Sequence, residues 1–355
     1  MGVMTLAGTV YEFGTDDGLL LRLTRFRRAD CDDVVLLVHG HMMSSDMFIL
    51  PEQDRNLTTF LLDNGFTDVW ALDFRMSKRL PYNGETRDDT LDDIALFDHP
   101  AAMRELRRHI GDRRVHVVAH CLGSMSFAMS VFGGTVRDVT SLVCNSVGLT
   151  PRVPLWARVK GLLGPPLLGE LLGFTTLDPR YASARPLSRA RLFSRLVSWG
   201  HRECDEPACH MVSFLCGSGN PVLYEHANLH PATHARITEL FGPTGLSYFR
   251  HVYRMIEAGR AVKYHPDDPT YARLPDDYLA GAAAVATPVL MLESELNRTF
   301  PGSNPIWFRR LEELRPGLQE LETIVGYGHM DSLAGRYAHV DVYPRIADFL
   351  KRMSR

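Results

Sequence analysis

Long basic runs are absent from this 355-residue chain, and its formal net charge is −3. Nucleic acid is therefore not an expected partner. Uninterrupted apolar stretches long enough to cross a bilayer are also missing. The most leucine-rich segment, LWARVKGLLGPPLLGELLGF, carries Arg158, Lys160, Glu170 and a Pro165-Pro166 pair, which excludes a membrane span. The opening MGVMTLAGTV has neither a basic region nor an apolar stretch ahead of a cleavage site. Leu6 stands where a myristoylation signal needs Ser or Thr. Cysteine is sparse, with six residues at 31, 121, 144, 204, 209 and 216 and no C-x2-C pair. Without a secretory leader, reduced thiols and a cytoplasmic location are expected. No internal repeat or low-complexity tract occurs. What is present is the balance of a globular protein, 45% hydrophobic and 23% charged. The length suits one large domain or a domain with an inserted cap.

The apolar runs give the architecture. GTVYEF and LLLRLTRFR read as two strands joined by a turn at Asp16-Asp17. DVVLLVHG and DVWALDF are continuous β-branched and aliphatic runs, suited to strands buried on both faces of a parallel sheet. LDDIALFDHPAAMRELRRHIG reads as a helix with acidic residues early, basic residues late and Gly111 as its stop. RVHVVAH and DVTSLVCNS continue the alternation of strand and helix, which breaks near Val147. It resumes with TPVLMLES, NPIWFRRLEELRPG, LQELETIVGYGH and VDVYPRIADFLKRM. The fold class is α/β, a mostly parallel doubly wound sheet. Residues 1–147 and 286–355 form the sheet domain, and 148–285 form a helical cap inserted between two strands.

Chemistry concentrates where RVHVVAH meets its helix. The turn reads Ala119-His120-Cys121-Leu122-Gly123. A reactive side chain between small neighbours on a strand-to-helix turn resembles the G-x-S-x-G nucleophile elbow of the α/β-hydrolase superfamily. Here Ala replaces the first Gly and Cys replaces Ser. The resemblance implies Cys121 as nucleophile, at a helix N-terminus that favours thiolate. Ser124 and Ser126 lie inside the helix and cannot present an atom at the strand tip. Cys144, within a strand, reads as structural. The backbone N–H of Leu122 would receive a developing oxyanion, with a second donor from His41 or Met42 after LLVHG.

A thiol nucleophile needs a histidine, and the superfamily places it after the last strand. TIVGYGHMDSLAG supplies His329 there. That loop resembles the G-x-x-H-x-D loop of acid-lipase-like and cholesterol-oxidase-associated hydrolase domains, which implies that His329 is the base. Asp331 reads as a structural loop carboxylate. The third member is less plain. In LMLESELNRTFPGSN, Ser294 and Asn297 stand at the positions of the family's G-x-x-D, with Glu295 and Glu293 as alternatives. A thiol gives up its proton more readily than a hydroxyl, so the histidine needs orientation more than added basicity. Asn297 can supply that.

The cap region holds ECDEPACH and YEHANLHPATHARI. Cys204, Cys209 and His210, and the recurrent His226, His230 and His234, raise the question of a metal. Pro231 interrupts a continuous helix across the three histidines. The expectation is therefore packed side chains, with no metal and no cofactor. THARITELFG resembles the cap of the same hydrolase domains. The 155–174 segment is expected to form lid helices over Cys121, whose lining suits an apolar acyl group.

The expected activity is acyl transfer through a thioester on Cys121, from a small-molecule or carrier-bound ester or thioester. The acceptor is water for an esterase or thioesterase, and an alcohol or amine for an acyltransferase. The alternative is a catalytically silent ligand-binding protein on the same fold. Oligomeric state leaves no signature in the sequence.

Overall fold

The computed structural model describes residues 7–80, 82, 87–165, 173–174, 176–201, 203–219 and 221–355. Eight strands form one sheet: β1 (Thr9–Gly14), β2 (Leu20–Arg27), β3 (Asp33–Val38), β4 (Asp68–Asp73), β5 (Arg114–His120), β6 (Ser141–Asn145), β7 (Val289–Ser294) and β8 (Gln319–Ile324). Their spatial order is β1-β2-β4-β3-β5-β6-β7-β8. β1 and β2 pair antiparallel, and β2 pairs antiparallel with β4. The other six strands are parallel.

The expected alternation of strand and helix is realised, and burial explains it. Every residue of β4 and β6 is buried, as is β3 beyond its first residue. That matches their unbroken apolar runs. Helices α1 (Leu57–Asp63), α2 (His99–Ile110), α3 (Cys121–Phe132), α4 (Leu155–Pro165), α5 (Arg189–Gly200), α6 (Pro207–Cys216), α7 (Leu246–Ala258), α8 (Ser303–Leu314) and α9 (Tyr343–Met353) share the remaining core with the loops. In α9, Tyr343, Ile346, Ala347 and Leu350 are buried, one stripe of a helix. The helix expected over 91–110 is interrupted by a π turn at Ile94–Asp98. Pro100, at the start of α2, has no N–H to continue the ladder.

Between β6 and β7 the regular structure is mostly helical, with α4 to α7 and a two-residue ribbon pairing Thr176–Leu177 with Thr244–Gly245, and loops make up the rest. Residues 166–172 of the expected lid segment lie outside the described residues. Among the described residues, no helix is long and apolar enough to cross a membrane.

Candidate active site

Parallel strands place all their carboxyl ends on one edge of the sheet, where the following loops converge. Five such loops matter here. His41 follows β3, Cys121 follows β5, Ser146 follows β6, Asn297 follows β7 and His329 follows β8. The first three strands lie side by side, with Val38 opposite Ala119 and His120 opposite Asn145.

The turn into α3 is strained. His120 is extended (φ −122°, ψ 139°), and Cys121 follows with φ +54°. A left-handed non-glycine residue costs about 1–3 kcal/mol and persists only where its surroundings enforce it. The enforcement is steric. A Cβ on Gly123 would sit 2.0 Å from the carbonyl oxygen of His39. One on Gly40 would lie 2.9 Å from the His120 ring and 3.0 Å from Cys121 Cβ. Two glycines thus let the end of β3 touch the elbow. Ser124 and Ser126 are turned away, their hydroxyls donating to the carbonyls of Val147 (2.6 Å) and Gly123 (3.3 Å).

His329 is 1% exposed, and a ring nitrogen lies within 4.8 Å of the Cys121 sulfur. Its Nδ1 is 3.0 Å from Oδ1 of Asn297. The identity of that oxygen follows from its other contacts. The backbone N–H groups of Thr299 and Phe300 both donate to it, at 3.1 and 3.0 Å. On the other side, Asn297 Nδ2 donates to the carbonyls of Ser146 (3.0 Å) and Phe300 (3.4 Å). An oxygen can only accept, so His329 Nδ1 carries the proton. Nε2 then bears a lone pair, and it is buried with no hydrogen-bond partner. That is the tautomer a general base requires.

The glutamates lie elsewhere. Glu293 accepts from the N–H groups of Gly302 (2.9 Å) and Asn304 (3.4 Å) at the start of α8. Glu295 accepts from the Gly326 N–H at 2.9 Å on the surface. Asp331 accepts from Asn228 Nδ2 at 2.6 Å and ties the loop down.

The charge state differs from the expectation of a helix-stabilised thiolate. Burial pushes the Cys121 thiol up to about 12, although the backbone amides of Leu122 and His41 pull the other way. Burial likewise takes His329 down to about 3. Burial disfavours charge on both groups, which favours neutral thiol and neutral imidazole at rest. Of the two residues offered for the second oxyanion donor, His41 presents its amide to the sulfur. The Met42 carbonyl accepts from the Gly242 N–H at 2.8 Å.

Three residues were not singled out in the sequence. Ser146, at φ +78°, joins the site together. Its carbonyl receives Asn297, and its hydroxyl donates to the His329 carbonyl at 2.8 Å. Asp73, at the end of β4, receives the Ser45 N–H (2.9 Å) and the hydroxyls of Ser45 (2.7 Å) and Ser77 (2.6 Å), so it pins the loop that carries His41. His120 packs 5.0 Å from the His329 ring, and its Nδ1 accepts from Asn145 Nδ2 at 2.8 Å. Only position hints at them: each ends a strand or stands one residue from an end.

A cavity of about 410 Å³ opens over Cys121 and His329. Its walls are mostly apolar, including Trp156, Leu196, Phe214, Phe249 and Tyr253 from α4 to α7. Such a chamber fits an apolar ligand better than a polar one.

The sequence matches the alpha/beta hydrolase family over residues 35–334. The chain belongs to that family. Among curated relatives of this hydrolase-family protein is triacylglycerol lipase 1 of Arabidopsis thaliana. It is 25% identical over 377 residues, which cover 97% of this chain and 87% of the relative. A thermostable carboxyl esterase from Bacillus coagulans, solved with glycerol, has TM-score 0.63 at 13% identity, covering 99% of this chain and 100% of that one. A lipase in its open form has TM-score 0.60 at 15% identity, covering 98% and 100%. At those identities the two structures speak to fold.

The cap histidines and cysteines draw together in the fold. Pro231 does break the helix, into a turn at His226–Asn228 and a short helix at Pro231–Ala235. The break folds His226 and His234 to a ring separation of 4.7 Å. Donor atoms of Cys204, Cys209, His226 and His234 all lie within 4.8 Å of one another. His210 and His230 are occupied locally. His210 Nε2 meets the Cys204 carbonyl at 2.8 Å, and His230 Nδ1 accepts from the Ala232 N–H at 3.2 Å.

Proposed function

We propose that this protein is a lipase- or esterase-like acyl-transfer enzyme in which Cys121 forms a thioester with an apolar acyl group, His329 is the base and Asn297 orients it. The observation that carries the reading is the tautomer of His329. Two backbone N–H donors identify Asn297 Oδ1 as an acceptor, which puts the proton on Nδ1 of His329 and leaves Nε2 free beside the sulfur. The plant lipase relative supports ester chemistry, and the apolar chamber supports a hydrophobic acyl group. In this reading residues 148–285 act as the cap that closes the chamber, and the protein works in the cytoplasm.

The neutral pair sets the mechanism. The sulfur attacks the ester carbonyl while Nε2 of His329 takes the S–H proton. The C–S bond forms, and the carbonyl electron pair moves to oxygen, facing the N–H groups of Leu122 and His41. Collapse breaks the C–O bond, and the imidazolium returns its proton to the leaving alkoxide. In the second half His329 deprotonates the acceptor, which attacks the thioester, and the thiol is restored. A thioester reacts readily with nucleophiles better than water, and an apolar chamber holds little water. Transfer to an alcohol or amine is favoured over hydrolysis on that ground.

The test is intact-mass analysis after exposure to a panel of activated esters and thioesters, with and without a candidate alcohol. An adduct of one acyl mass, absent in Cys121→Ala, is expected. Its disappearance with formation of a new ester assigns transfer. A second reading, a ligand-binding protein without turnover, draws on the raised thiol and lowered imidazole pKa. Tight ligand binding with no adduct on any donor would favour it.

A further inference from the structure

We infer that Cys204, Cys209, His226 and His234 form a structural binding site for a tetrahedral, thiophilic divalent cation, zinc by its chemistry. The four residues come from three separate stretches. Cys204 and Cys209 flank the start of α6, His226 lies on a turn after it, and His234 is on the following short helix. Yet one donor atom from each falls within 4.8 Å of all the others. Four ligands at zinc bond lengths of about 2.0–2.3 Å stand roughly 3–4 Å apart, so small side-chain adjustments complete a tetrahedron. Cys209 Sγ and His226 Nε2 are already at 3.7 Å.

Independent observations point to a missing ligand. His234 Nε2 is buried with no hydrogen-bond partner. Beside the cluster, Oε2 of Glu203 is also buried and unpartnered. Outer contacts match those that steady metal ligands. The Tyr224 hydroxyl donates to Cys209 Sγ at 2.8 Å, and His210 closes the turn at the Cys204 carbonyl (2.8 Å) and Ser198 Oγ (3.0 Å). Charge balances as well. Each thiol loses its proton on coordination, and two thiolates neutralise one dication. Two sulfurs and two imidazoles select zinc over magnesium or calcium, which prefer oxygen.

The site would brace the catalytic loop. Residues 223–228, which include His226, grip the His329 loop from both sides. The Leu223 carbonyl accepts from the Met330 N–H at 2.7 Å, and Asn228 Nδ2 donates to the Gly326 carbonyl at 2.8 Å. At Gly328 an added Cβ would lie 3.0 Å from Tyr224 Cα. A cation that ties His226 to α6 therefore steadies the backbone carrying His329. Binding of metal to the native state alone also raises unfolding stability.

The experiment uses the full chain, reduced and purified without chelator, with metal measured by mass spectrometry. About one zinc per chain is expected. Cobalt replacement should give the intense visible bands of a tetrahedral ion and thiolate-to-cobalt charge transfer in the near ultraviolet. Cys209→Ser should lose those bands. His234→Gln, a half-buried position, should stay folded by circular dichroism and weaken cobalt binding at least ~100-fold. Cys31→Ser should retain the metal. Reduced wild-type protein that takes up neither zinc nor cobalt overturns the assignment, as does cobalt bound without thiolate charge transfer. None of these readouts depends on the acyl-transfer reading.

Discussion

Nδ1 of His329 donates a hydrogen bond to the side-chain oxygen of Asn297 at 3.0 Å, and that amide is itself held from both sides by backbone. An amide suits this position where a carboxylate does not. The Ser146 carbonyl accepts from Nδ2, and a carboxylate oxygen there would face it without a proton. Asn297→Asp should therefore lower stability by about 1–3 kcal/mol, read by urea unfolding. It should also raise the His329 pKa from about 3, because an opposite charge favours imidazolium. The acid limb of kcat/KM should move to higher pH. Asn297→Ala should lower turnover on the order of 100-fold and slow the acylation burst with it, since the tautomer that takes the S–H proton is no longer held. His329→Ala should abolish both.

The thiol's protonation state gives a second expected outcome. With Cys121 pushed up to about 12 by burial, its thiolate fraction is small at neutral pH. Iodoacetamide alkylation of Cys121 should climb roughly tenfold per pH unit between about pH 7 and 9 without a plateau. A plateau below pH 7 would mean a resting thiolate–imidazolium pair. Peptide mapping separates this cysteine from the other five.

Asp73 acts at a distance. It touches no substrate surface but holds Ser45 and Ser77, and through them the loop bearing His41. Asp73→Ala should lower kcat by about 10–100-fold with KM nearly unchanged, because one oxyanion donor drifts. Steady-state kinetics on a soluble ester would check this. A rise in KM alone would assign Asp73 to binding instead.

Glu293 makes stability depend on pH. Burial raises its pKa from 4.5 to about 7, so between those values the native state holds a proton that the unfolded chain releases. This group's contribution to stability falls as pH rises through that window, by roughly 3 kcal/mol in all. Glu293→Gln removes the titration. The stability of the variant minus that of wild type should grow from pH 5 to pH 8, measured by urea midpoints at each pH.

The order of chemistry along the chain was local information. Apolar runs such as DVVLLV and RVHVVAH name their own strands. The left-handed turn at Cys121 follows from small neighbours that a single sequence displays. His329 follows the last strand, and that placement needs no contact with anything distant. These features determined the sheet, the elbow and the candidate nucleophile and base. Only the tertiary structure decided the rest. Glu293, Glu295 and Asn297 stand within five positions at the end of β7 and in the loop after it, and which of them meets His329 depends on the Ser146 carbonyl arriving from β6. The protonation of Cys121 depends on burial that only the folded chain supplies. A proline that breaks a helix was a reason to expect no metal. In three dimensions that same break folds His226 and His234 together, because the fold of a turn brings side chains closer than a straight helix can.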